Sequence, residues 1–180
     1  MAGQRLTDKT ALDQQAGSGD LLMVVDVNDT TGSAEGTSKK MDFKYVIQTD
    51  KISVTSAEFQ AMDMTGSAGT FRTLISAPGA GYTIVPLNVF MNVTYVSGVA
   101  ANKDLYLGFV STTTQQYWSR ATRFMGASAN TSYSLQSESV DKGTFNGLVD
   151  NKAFVMYANA NFVQAFTADV YVTYNIIQLW

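Results

Sequence analysis

Residues 74–95, LISAPGAGYTIVPLNVFMNVTY, join a sharp turn signal to the longest clean alternation in the chain. Val85, Leu87, Val89, Met91, Val93 and Tyr95 fall on one side of a period-two pattern, with Pro86, Asn88, Asn92 and Thr94 on the other. Phe90 is the one large apolar residue out of place. Successive side chains of a strand point to opposite faces, so this pattern predicts a strand with one face on a core and the other toward water. The preceding APGAG cannot be strand. Pro78 fixes its own φ, and Gly79 and Gly81 can take the positive φ of a tight turn. The chain is therefore expected to reverse here, pairing a strand around Phe71–Ser76 antiparallel to the long one. Pro86 lacks a backbone donor, which places it at an edge or a bulge.

Working outward, the C-terminal ADVYVTYNIIQLW repeats the alternation, with Val170, Val172, Tyr174 and Ile176 facing one way and Tyr171, Thr173 and Asn175 the other. LYLGFV (105–110) turns Leu105, Leu107 and Phe109 inward, and Gly108 marks a bulge or a close backbone approach. NKAFVMYAN (151–159) and FVQAF (162–166) read as short strands. Thr55 followed by Glu58 is a capping box, which predicts a short helix from Ser56 to about Met62 with Phe59 and Met62 on its one buried edge. About eight short strands from residue 50 onward, with polar turns between them, predict an all-β fold: an antiparallel β-sandwich of the jelly-roll type, spanning residues 51–180. No helical pattern is long enough to cross over between parallel strands, which excludes α/β folds.

Residues 1–50 read differently. Met1 to about Gly19 is polar and without apolar periodicity, an extended arm or a marginal helix. LLMVVDV follows, and Leu21, Met23, Val25 and Val27 alternate with Leu22, Val24 and Asp26, so both faces are apolar and want cover. Asn28–Lys40 is a loop by composition. Met41–Gln48 alternates again, with Met41, Phe43 and Tyr45 on one face, completing a short hairpin. A strand needing cover on both sides invites a partner subunit, so Leu21, Leu22, Met23, Val24, Val25 and Val27 are the candidate anchor or subunit interface.

With 180 residues, 46% of them apolar, the chain can fill a core. Its net charge of −3, with twelve basic residues scattered singly, gives no footprint for a phosphate backbone, so no nucleic-acid partner is expected. No membrane span and no secretory signal are expected either. There is no cysteine and no histidine. That removes disulfides, the usual zinc sites, thiolate nucleophiles and imidazole-dependent triads, and no cofactor is expected.

The remaining chemistry is thin. Asp26, Asn28 and Thr30 have the spacing that opens a calcium loop, yet Thr31 stands where a glycine is needed and Thr37 where a bidentate glutamate is needed, so an Asx turn accounts for them better. APGAG is followed by a strand and by no GK[ST], which argues against a phosphate cradle. Asp63, Asp104, Glu138, Asp141, Asp150 and Asp169 are the carboxylates a histidine-free glycosidase would need, but all fall at turns or on wet strand faces. One cluster carries more. Tyr117, Trp118, Arg120 and Arg123 put two aromatics beside two arginines, a mixture enriched where a partner covers the surface and suited to sugars. The alternative is a hairpin whose aromatics fill the same core as Tyr95 and Phe109.

Two passages resemble modules of tailed-bacteriophage virion proteins. GDLLMVVDVNDTTGSAEGTSKK (19–40) resembles the N-terminal attachment segments of phage fibre proteins. The run from Ala57 to Tyr95 resembles a β-sandwich module of small phage structural proteins, closed by an N-K-A strand (Asn151, Lys152, Ala153) and a final strand matched at Val170, Val172, Tyr174, Ile176 and Ile177. The resemblance implies a non-enzymatic component of the virion, assembled in the host cytoplasm, of the head-fibre or capsid-decoration kind. Residues 1–50 would dock on the major capsid protein or another virion protein, and the chain would form a homo-oligomer, a trimer. Residues 111–150 lie outside the match and would touch the host surface, with a glycan as the candidate partner. A short tail fibre, spike or tail adaptor is the alternative placement.

Overall fold

A computed structural model describes residues 21–32, 34, 36–42, 46–63, 70–99, 103–110, 115–138 and 150–179. The chain divides into two compact units, Met1–Val46 and Ile47–Trp180. The expected arm before Leu21 lies outside the described residues, as do Phe43 and Tyr45.

The second unit is an antiparallel β-sandwich. Its elements in chain order are β3 (Gln48–Val54), α1 (Ser56–Ala61), β4 (Arg72–Ile75), β5 (Tyr82–Ser97), β6 (Leu105–Val110), β7 (Gln115–Ala121), β8 (Thr131–Leu135), β9 (Phe154–Ala158) and β10 (Ala165–Gln178), following β1 (Leu21–Asp26) and β2 (Thr37–Asp42) of the first. One sheet has the order β3-β10-β5-β8 and the other β4-β9-β6-β7. The pairs β3 with β10, β4 with β9, β5 with β8 and β6 with β7 are all antiparallel. First strand meets last, second meets second-to-last, and so on inward, which is one long hairpin rolled over into two sheets. That nesting is the jelly roll. The strand expected at 162–166 begins only at Ala165 and runs on into the terminal strand.

The nesting also corrects the expected pairing of the opening stretch. β4 does not pair with β5. It pairs with β9 in the opposite sheet, while β5 lies between β10 and β8. The turn between them carries the chain from one sheet to the other. Gly79 and Gly81 have φ of 108° and 79°, and Tyr82 N donates to Gly79 O at 3.2 Å. Side chains across the fold hold the turn: Gly79 N donates to Asn151 Oδ1 and Gly81 N to Asp150 Oδ1, at 3.0 and 2.9 Å.

The inward face of β5 is Val89, Met91 and Val93, each at most 1% exposed. Toward its N-terminus the expected phase fails. Thr173 pairs with Asn88 and Tyr174 with Pro86, so Leu87 is the extra residue of a bulge. A bulge advances the alternation by one, and Leu87 is accordingly 41% exposed while Ile84 is buried. Pro86 sits where its missing donor costs least, beside the bulge and beyond the reach of β8, which pairs only with Val89–Val93. On β10, Val170, Val172 and Tyr174 are buried as their alternation predicts. Leu105, Leu107 and Phe109 of β6 are buried too, with a register shift at Gly108.

α1 closes one end of the core. Glu58 N donates to Thr55 Oγ1 and Thr55 N to Glu58 Oε2, the reciprocal cap expected from the sequence. Phe59 beneath it packs on Phe124, Phe162 and Phe166, with ring centroids 5.8, 6.2 and 4.4 Å away. Thr55→Ala removes the cap of a helix of only six residues, and is expected to cost about 1 kcal/mol. Urea unfolding of the variant should show a lower midpoint with an unchanged slope.

Candidate functional site

β1 and β2 form a two-stranded antiparallel sheet, Leu21 opposite Asp42 through Asp26 opposite Thr37. Thr37–Lys40, expected within a loop, joins Met41 and Asp42 in strand because its backbone pairs with β1, although those four side chains are polar. Cross-strand partners share a face. Leu22 and Met41 are half-buried on one face, as is Val24 opposite Lys39. On the other face Met23, opposite Lys40, is 65% exposed, and Val27 just past the strand is 68% exposed. The side chains of the two remaining anchor candidates, Leu21 and Val25, lie outside the described residues.

The turn that joins the two strands is held by its acids. Asn28 N donates to Asp26 Oδ1, an Asx turn, and Thr31 N and Oγ1 both donate to Asp29 Oδ1. Lys39 Nζ lies 2.7 Å from Asp29 and 3.2 Å from Asp26. Of the positions that suggested a calcium loop, Asp26 thus closes on the chain's own ammonium and an amide. Among the described residues no three acidic side chains gather as metal ligands would. The Lys39 ammonium, and after it the Thr31 hydroxyl and amide, hold the Asp29 carboxyl down at about 2, against 3.8 ordinarily. A depressed folded value means the contribution is complete above the unfolded value of 3.8 and is lost as pH falls through about 2. An NMR titration should place the Asp29 midpoint near 2, and Lys39→Ala should return it toward 3.8. Because the pair is exposed it fixes the turn's shape more than it stabilises it.

The aromatic and arginine cluster does not form one surface. Trp118 is 2% exposed and meets Phe154 edge to face at 5.7 Å. It is a core residue, which corrects its place as a ligand-binding side chain. Inward orientation on β7 puts the indole between the sheets, as the alternative reading allowed. Arg120 lies half-buried with its Nε 3.7 Å from Glu138 Oε1, and Arg123 is exposed at a positive φ of 50°. The Tyr117 side chain lies outside the described residues.

Most of the described candidate carboxylates have partners within the chain. Asp104 accepts from Arg123 N at 2.9 Å, and Asp150 from Gly81 N. Asp169 pairs with Lys51 at 2.8 Å and accepts from Ser53 Oγ at 2.7 Å. Glu138 faces Arg120, while the Asp63 backbone bridges to Thr70. Asp141 is outside the described residues. The amides of the Pro78–Gly81 turn, considered as a phosphate cradle, bind the chain's own Asp150 and Asn151.

What the sequence reading missed is the outer face of the β3-β10-β5-β8 sheet. Lys51, Tyr171 and Phe90 stand side by side across three strands, as do Ser53, Asp169 and Asn92 in the next row. The signal was there in Phe90, the one aromatic on the wet side of β5. Its partner across the strands needed the register to find.

No family model matches the chain, and no curated protein does. Among solved structures it is similar to a chain of Cocksfoot mottle virus, at 9% identity over 73% of this chain and 95% of that one, with a TM-score of 0.30. It is also similar to a chain in the crystal structure of Israel acute paralysis virus, at 10% identity over 94% and 96% of the two chains, with a TM-score of 0.28. Superpositions this loose carry no argument, and the fold assignment stands on the strand pairing alone.

Proposed function

We propose that the protein is a non-enzymatic structural component of a virion, of the head-fibre or capsid-decoration kind, docked through its first unit and displaying the sandwich outward. The observation that carries the reading is the β1–β2 hairpin. A two-stranded sheet is marginal in water by itself, and this one leaves Met23 and Val27 open to solvent. A segment with that combination gains most from a partner that covers its apolar side chains and its unpaired edges. The likeness of residues 19–40 to phage fibre attachment segments supports the same role. The second unit has what a displayed body needs: its own core, built by two sheets whose first and last strands are hydrogen-bonded to each other.

The partner is the major capsid protein or another virion protein, and the chain associates with copies of itself as a trimer. Light scattering should give a mass three times the 19.5 kDa of one chain. The placement is tested by labelling purified particles of the virus that encodes the chain with an antibody against the sandwich. Label on the capsid supports decoration, and label on the tail moves the protein to the tail-fibre or adaptor class. Absence of the chain from particles by mass spectrometry ends the reading.

A further inference from the structure

The outer face of the β3-β10-β5-β8 sheet has an aromatic centre and a polar trough beside it. Phe90 and Tyr171 are cross-strand partners whose ring centroids are 6.2 Å apart at 43°. Phe90 is 39% exposed. Two residues along each strand on the same face, Asn92 and Asp169 enter a trough of about 290 Å³, whose other polar side chains are Ser53, Thr55, Thr94 and Thr167. Same-face neighbours stand about 7 Å apart along a strand, so trough and rings are contiguous.

The chemistry of the face selects its ligand. Its two charges cancel, with Lys51 Nζ 2.8 Å from Asp169 Oδ2, so it offers no uncompensated charge to an anion or a cation. The other groups are hydroxyls and the amides of Asn88 and Asn92, able to donate and accept in alternation. Asn92 Oδ1 accepts from Ser132 Oγ at 3.4 Å. Among the described residues the Asn92 amide nitrogen and the Thr94 and Thr167 hydroxyls have no partner. A subunit interface does not fit, because the centre of such a patch is depleted in charge and richer in apolar surface than this one. An added strand does not fit either, because it would take an edge and this is a face. A pyranose ring presents donors and acceptors around its rim and a C–H surface on one side, and it matches both halves.

We propose that this face binds a neutral carbohydrate, its ring laid over Tyr171 and Phe90 and its hydroxyls bonded to Asn92, Asp169 and the threonines of the trough. The site belongs to the second unit and stands independently of the virion reading, since the face binds or fails to bind whether or not the chain joins particles.

The test presents the full-length protein to a panel of neutral hexose and N-acetylhexosamine oligosaccharides, with acidic oligosaccharides alongside, and measures affinity for the strongest binder by calorimetry. Tyr171→Ala and Asn92→Ala are each expected to weaken binding about tenfold. Thr94→Val, which keeps the side-chain volume, is expected to weaken it less, and Arg123→Ala, a residue outside this face, to leave it unchanged. Should Tyr171→Ala fail to fold, Asn92→Ala and Thr94→Val decide the matter. Binding by no neutral member of the panel, preference for the acidic oligosaccharides, or equal affinity in the folded variants would overturn the proposal.

Discussion

Phe124→Ala is expected to destabilise the sandwich by about 3–5 kcal/mol, the range for deleting a fully buried phenylalanine ring. Phe124 is 0% exposed, and its ring meets Phe59, Tyr133, Phe162 and Phe166 at 5.8, 4.8, 5.6 and 5.4 Å. Those partners come from α1, β8, the β9–β10 connection and β10, so the cavity opens where four segments meet. The site is also poorly able to collapse. Arg123 and Met125 on either side both hold positive φ, Phe124 N donates to Lys103 O at 2.8 Å, and Met125 N donates to the Tyr133 hydroxyl at 2.9 Å. Chemical denaturation of the full chain measures the loss. Phe90→Ala on the outer face is the comparison, and it is expected to change stability by less than about 1 kcal/mol.

Gly98→Ala is expected to be strongly destabilising. A Cβ there would lie 2.9 Å from the Gln164 Cα, a backbone atom that cannot rotate away, and the residue holds φ at 104°. The strained backbone costs about 1–3 kcal/mol and the overpacking about as much again. Gly79 provides the control. Its φ is 108° but nothing lies within 4 Å of its would-be Cβ, so Gly79→Ala carries only the conformational cost. The difference between their thermal midpoints therefore reads the contact at Gln164 by itself. Gln164 is fully buried, and its backbone carbonyl accepts from Gln60 Nε2 at 3.3 Å, so a shift there reaches α1 and the phenylalanine cluster.

The features legible in the sequence were those that local chemistry decides. The Thr55–Glu58 cap, the inward triplet Val89, Met91 and Val93, the alternation of β10 and the register shift at Gly108 all follow from spacing over a few residues. What escaped was decided by distant partners. The APGAG turn looks like a hairpin because its glycines permit one, yet which strand β4 joins depends on β9, some eighty positions on. The bulge at Leu87 turns Leu87 outward and buries Ile84 in place of Val85, and Pro86 was the only local hint of it. The first part of β2 reads as loop because Thr37, Ser38, Lys39 and Lys40 are polar, but pairing to β1 needs only their backbone. Trp118 illustrates a harder limit: an aromatic next to an arginine suits a core and a binding surface equally, and only the sheet's facing decides.

The claim on which the rest depends is that the first unit docks and the second folds without it. Deleting Met1–Val46 tests it most directly, because the cut leaves β3 intact from Gln48, whose pairing with Tyr174 and whose neighbour Asp50, 2.9 Å from the Tyr174 hydroxyl, tie the first strand of the sandwich to the last. The truncated protein is expected to unfold in one cooperative transition and to be absent from purified particles, while the full chain is present in them. Truncated protein that still enters particles, or that no longer folds, would contradict it.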